Sequence, residues 1–269
     1  MRRARQHARA AARPNTEPPV LWREAAEGIA DRLIPTTRHF TRGLHLGGWQ
    51  QGWTAEIADF ADSWQPGGFD SHETLQAEGE FDLIVSLLDL HSLNDLPGAL
   101  AQIRQRLKPD GLFLAALFGG QTLHELREAL AEGEIAASGA AIRRIAPFAE
   151  VPDLGKLLQR AKFTMPIADS ERTTVRYRAL GTLMADLRSM GETGYLAAPT
   201  PKAFTRTIWA ATQAFYAQRF SVDGRFAATF DIVYLTGWAP RAKPPRPPPA
   251  GPLRPQSATK IRIAKKPTN

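Results

Sequence analysis

The chain has 269 residues and no cysteine. That absence excludes disulfides, thiolate metal sites and a cysteine nucleophile, and it suits a reducing compartment. Acid is missing from both ends. Residues 1–16 carry five arginines and no Asp or Glu, and residues 232–269 carry eight Lys or Arg and no acid. These two ends hold thirteen positive charges in a chain of net charge +7, so the stretch between them carries −6. A basic chain ordinarily points to nucleic acid or an anionic membrane. Here only the tails are basic, so no nucleic-acid partner is expected and peripheral membrane contact is confined to the tails. No apolar run approaches the roughly 20 residues needed to cross a bilayer. No apolar segment follows the basic start, so a secretory signal is not expected. Met1 to Pro14 has the Arg/Ala-rich composition of an organellar transit peptide or of a plain basic arm.

What the chain does have is a continuous pattern from Phe81 to Phe118. Leu83 to Leu88 is a short apolar run. After a polar turn, Leu96, Leu100, Ile103 and Leu107 recur at helical spacing. Asp95 is placed to cap that helix and Pro97 falls in its first turn, where a missing N–H costs nothing. Lys108-Pro109-Asp110-Gly111 ends it, and Leu112 to Phe118 is a second apolar run. Two non-alternating runs around one amphipathic helix predict a βαβ unit in a parallel sheet covered on both faces. Ligands of such sheets bind beyond the carboxyl ends of the strands. That edge is Asp89 to Asn94 and Gly119-Gly120, and His91, with Asp89 beside it, is the best-placed general-base candidate.

The strings Phe81-Asp82-Leu83-Ile84-Val85-Ser86, Leu90-His91, Asn94-Asp95-Leu96-Pro97, Leu107-Lys108-Pro109-Asp110-Gly111 and Gly119-Gly120-Gln121-Thr122-Leu123-His124-Glu125-Leu126-Arg127 resemble class I S-adenosylmethionine-dependent methyltransferases. With Tyr234 to Pro240, they are most similar to the complex I assembly-factor branch, the methyltransferase-like arginine hydroxylases, which is related to malonyl-carrier-protein methyltransferases. Ser92 stands where that branch usually has Trp. The resemblance implies an α/β, Rossmann-like, mostly parallel sheet ending in an antiparallel pair. It implies a cofactor site for S-adenosylmethionine lined by Gly47, Gly48, Asp70 and Ser86. Three functions follow from it. The first is a methyltransferase acting on a protein substrate. The second is a complex I assembly factor that binds a quinone-reductase subunit, either modifying an arginine or acting without catalysis, with the cofactor weakly held or lost. The third is a carrier-protein methyltransferase, which the acidic body disfavours. The location expected is the cytoplasm, or the mitochondrial matrix if the N-terminal arm is a transit peptide.

The first half fits this family poorly. His45 replaces the acid that ends the first strand, and Trp49 stands in the glycine loop. Only seventeen residues separate Gly52 from Asp70. A helix and a strand with turns need about twenty. With Thr54 to Trp64 taken as the helix, the second strand is expected to be lost, and Asp59 or Asp62 would have to replace the ribose-binding acid.

Elsewhere the pattern predicts a helix over Leu21 to Ile34 and a first strand over Arg42 to Leu46. A Thr122/Glu125 capping box should open a helix to Ala131. Glu134 to Pro147 reads as a loose lid, and Val151 to Ala161 as a helix. Strands are expected at Thr173 to Tyr177 and Phe226 to Tyr234. Between them, Ala179 to Met190 and Pro201 to Phe220 form a helical cap whose aromatics, Phe204, Trp209, Phe215, Tyr216 and Phe220, read as packing. His45, His72, Glu73 and His91 match no zinc spacing, so no metal is expected. The domain plan is a basic arm at 1–16, one domain at 17–240 with the cap at 179–220, and a Pro-rich basic tail at 241–269.

Overall fold

The computed structural model describes residues 20–47, 54–192 and 203–241. The basic arm, Gly48, Trp49 and the Pro-rich tail lie outside them.

The elements run α1 (Val20–Leu33), β1 (Phe40–Leu46), α2 (Thr54–Ile57), β2 (Ala61–Phe69), β3 (Leu75–Gln76), β4 (Phe81–Leu87), α3 (Leu96–Arg106) and β5 (Leu107–Phe118). Then come α4 (His124–Ser138), α5 (Val151–Arg160), β6 (Thr164–Tyr177), α6 (Leu180–Ser189), α7 (Arg206–Phe220), β7 (Ser221–Val222) and β8 (Arg225–Trp238). The strands form one sheet in the order β3-β2-β1-β4-β5-β8-β6, with β7 paired to β8. The pairs β1–β2, β1–β4 and β4–β5 are parallel; β8 runs antiparallel to β5 and β6. The predicted βαβ unit is therefore β4–α3–β5. Its helix begins as expected, with the Asp95 carboxylate accepting from Gly98 N–H at 2.9 Å and Pro97 in the first turn.

Both sheet faces are covered. α1, α4, α6 and α7 bury one face with Leu83, Val85 and Leu87 of β4. α3 and α5 bury the other with Ile84, Phe113 and Ala115. This double covering is why β4 and β5 read as unbroken apolar runs.

One expectation fails. The second strand is not lost: β2 pairs parallel with β1 from Phe40↔Ala61 to Leu46↔Gly67. Room is found because the helix before it is a single α turn plus a 3-10 turn, Ala58–Phe60, and because the strand takes in Pro66-Gly67-Gly68. At the sheet's edge β3 is a two-residue antiparallel return.

At the opposite end of the strands, Asp82 joins β4 to β1. Its carboxylate accepts from the N–H groups of Thr41 and Arg42 at 3.0 and 2.8 Å, and from the Thr41 hydroxyl. Burial pushes its pKa up, but these three hydrogen bonds outweigh it and hold the carboxyl below its ordinary value. A depressed carboxyl contributes stability that is complete above the unfolded value, about 3.9, and lost as pH falls through the folded one. Urea midpoints measured at pH 6 and pH 3 should therefore fall further for the wild type than for Asp82→Asn. Equal falls would remove Asp82 from the acid response.

Candidate active site

The carboxyl edge of the parallel strands holds Gly47, Asp70, Ser86, Asp89 and His91, with partners other than those expected. β4 ends at Leu87, and a 3-10 turn, Leu90–Ser92, presents His91. The His91 side chain is only 1% exposed. Its ring packs against Phe118 at the end of β5 (centroids 4.9 Å apart) and against Phe148 (5.8 Å). Nε2 lies 3.1 and 3.2 Å from the two carboxylate oxygens of Glu192, itself 6% exposed and placed just past the end of α6. Phe118 N–H points at Nδ1 over a long 3.5 Å. Nε2 faces the Glu192 carboxylate and Nδ1 faces the Phe118 N–H.

Sequence reasoning missed Glu192. It is 101 residues from His91, and no motif surrounds it. Asp89, the expected companion, is buried and lies against Gly47: a Cβ added at Gly47 would come within 2.4 Å of the Asp89 Cβ. Gly47 has φ +74°, the left-handed conformation that glycine adopts without steric cost. Burial pushes the His45 imidazole below its ordinary value, against a raising hydrogen bond with the Gly47 backbone.

Asp70 follows β2 at this same edge. Its carboxylate builds its own turn, accepting from His72 N–H (2.8 Å), Thr74 N–H (2.9 Å) and Gln76 Nε2 (3.1 Å). The two backbone bonds, Thr74 first, hold its pKa down. Ser86 is fully buried in β4, beside Leu46 of β1, and its hydroxyl has no hydrogen-bond partner among the described residues. For S-adenosylmethionine, then, Gly47 and Ser86 fit: one frees the backbone at the strand end and the other offers an unused polar atom. Asp70 is already occupied, and His45 cannot play the part of the missing acid. Asp62 is excluded by topology, since it bonds His39 at 2.6 Å near the amino end of β1.

The loop after β5 is built from β8. Thr122 and Asp231 exchange hydrogen bonds at 3.1 Å, and Asp231 also accepts from Gln121 N–H at 3.3 Å. Gly119 is required because a Cβ there would lie 2.6 Å from the Asp231 carboxylate. The expected capping box is absent. Leu123 holds the N-cap position without a side-chain bond, and buried Glu125 accepts from Thr229 N–H and hydroxyl instead. A burial site on β8 competes for both side chains and wins. Glu73 accepts from Asn94 and Asp95 N–H at 2.8 Å each and anchors the start of α3. Among the described residues no group of His, Asp and Glu is arranged to hold a metal.

The expected lid is also different. Its first part, Glu134 to Ser138, is the end of α4. Glu134 is fully buried and accepts from Ile142 N–H and from Arg144. This latch lays the following segment beside a cavity of about 230 Å³ that reaches Phe118, Phe148 and Glu192. Phe204 and Trp209, read as packing, belong to its wall.

Residues 23–165 match a family described as a methyltransferase domain. That span is more than half of the chain. The chain belongs to the methyltransferase-domain family. Two curated relatives of this methyltransferase-domain protein are named arginine-hydroxylase NDUFAF5, mitochondrial. The one from Homo sapiens is 35% identical over 240 residues, covering 81% of this chain and 69% of the relative. The one from Danio rerio is 42% identical over 171 residues, covering 62% of this chain. The chain spans about half (53%) of that relative's length. The solved YcgJ protein from Bacillus subtilis superposes with a TM-score of 0.51 at 10% identity, covering 81% of this chain and 99% of that one. At that identity the likeness is one of fold. No helix among the described residues is long and apolar enough to cross a membrane.

Proposed function

We propose that this methyltransferase-domain protein is an S-adenosylmethionine-dependent transferase acting on a polypeptide, with the acceptor entering beside His91. The observation that supports it is the buried His91–Glu192 pair at the carboxyl edge of β4, next to an aromatic-walled cavity. S-adenosylmethionine, when bound, supplies a methyl group on a sulfonium sulfur. Gly47, Gly48 and Ser86 are the residues proposed to hold it, Asp70 contributing only if its turn opens. His91 Nδ1 takes the acceptor's proton once the acceptor displaces the long contact to Phe118 N–H. Glu192 holds Nε2–H, fixes the tautomer and stabilises the imidazolium that forms. Asp89 shapes the Gly47 turn. The location proposed with this activity is the cytoplasm, or the mitochondrial matrix if residues 1–14 act as a transit peptide.

A second reading keeps the acceptor site and drops the methyl transfer. The relatives are named arginine hydroxylases, His45 replaces the expected acid, and Asp70 is committed to its own turn. On this reading the protein is an assembly factor that binds a subunit of respiratory complex I, modifying an arginine or acting without chemistry. Calorimetry of S-adenosylmethionine against the full chain separates the two. Micromolar binding is expected for the transferase, and no heat at millimolar cofactor would leave the assembly reading.

A further inference from the structure

The cavity beside His91 has a chemistry of its own. Its floor is Phe118 and Phe230 of the sheet, and Leu126, Leu130, Met184 and Trp209 come from the covering helices. Two charged groups also face it, Glu192 and Arg144, and each is matched within the protein, Glu192 by His91 and Arg144 by Glu134. What the wall offers an incoming group is therefore hydrocarbon and ring face. Removing an apolar group from water there gains roughly 25 cal/mol per Å². A charged group would lose its hydration, and among the described wall residues Glu192 and Arg144 are already matched by His91 and Glu134.

Size narrows the occupant. Pockets that bury most of a small-molecule ligand run about 300–1,000 Å³, and this one is about 230 Å³. It can take one group of a larger molecule and leave the remainder outside. Position completes the argument: Phe118 and Phe148 are both cavity wall and ring neighbours of His91. A group seated there lies one ring away from the imidazole.

We propose that this cavity is a specificity subsite that receives one uncharged aromatic or branched aliphatic side chain of the polypeptide acceptor, close to the residue presented to His91. The subsite rests on the acceptor-side reading above and not on cofactor binding, so calorimetry with S-adenosylmethionine can fail while this holds. The test uses the full chain and three probes: acetyl-Gly-Trp-Gly-amide, acetyl-Gly-Arg-Gly-amide and free indole. The Trp peptide is expected to bind and to raise the thermal midpoint in proportion to its concentration, with the Arg peptide at least about tenfold weaker (1.4 kcal/mol). Ala146→Leu, on the irregular segment of the wall, should reduce Trp-peptide binding about tenfold without lowering the midpoint of the free protein. Met184→Trp fills the cavity from α6 and serves if the first variant does not fold. Equal affinity for the two peptides, or binding unchanged by both filling variants, would overturn the subsite. Indole binding with the peptide excluded would overturn its assignment to a polypeptide.

Discussion

Glu134→Ala is expected to lower the unfolding free energy by about 3 kcal/mol, the low end of what removing one partner of a buried ion pair costs. Glu134 is fully buried, and Arg144 is 14% exposed at its side chain. Alanine leaves the Arg144 guanidinium mostly desolvated without its carboxylate, and it strands Ile142 N–H. The size of the effect comes from these orphaned groups and not from the attraction itself, so the double variant Glu134→Ala/Arg144→Ala should recover part of the loss. Urea unfolding of the three variants gives the coupling directly. Additive losses would show that the two side chains act independently.

The second large effect concerns chemistry. If His91 is the general base, His91→Gln should reduce transfer of labelled methyl from S-adenosylmethionine to acceptor protein by about 10²–10⁴-fold. Glutamine can still donate one hydrogen bond to Glu192, so the thermal midpoint should change little. Glu192→Gln keeps the shape but no longer stabilises an imidazolium. It should therefore lower the rate less than His91→Gln while moving the pH profile. A His91→Gln protein with undiminished transfer would leave His91 as a packing residue between Phe118 and Phe148.

The parts of this fold legible in the sequence are those governed by local rules. The β4–α3–β5 unit follows from apolar runs, an Asp95 cap and a Pro97 in the first turn, each acting within a few residues. The antiparallel pair was visible in part, since alternation marks Thr173 to Tyr177 but not the earlier half of β6, where the register shifts between Thr164 and Ile167. β2 was misread because residue counting assumed a full helix before it, and because Pro66-Gly67-Gly68 argues locally against a strand. Pairing with β1 overrides that preference. Thr122 and Glu125 satisfy a capping pattern but answer to Thr229 and Asp231, more than a hundred residues away. Glu192 had no local signal at all. The His91 edge was thus readable as a position, whereas its carboxylate partner and cavity depended on long-range packing.

The His91 carboxylate partner sits just past the end of the α6 helix, 101 residues along the chain from the imidazole. None of β1, β4 and β5 supplies Glu192. An opening confined to α6 and the residues just after it would part Glu192 from His91 and unwall the neighbouring cavity together, while β1, β4, β5 and β8 kept their pairing.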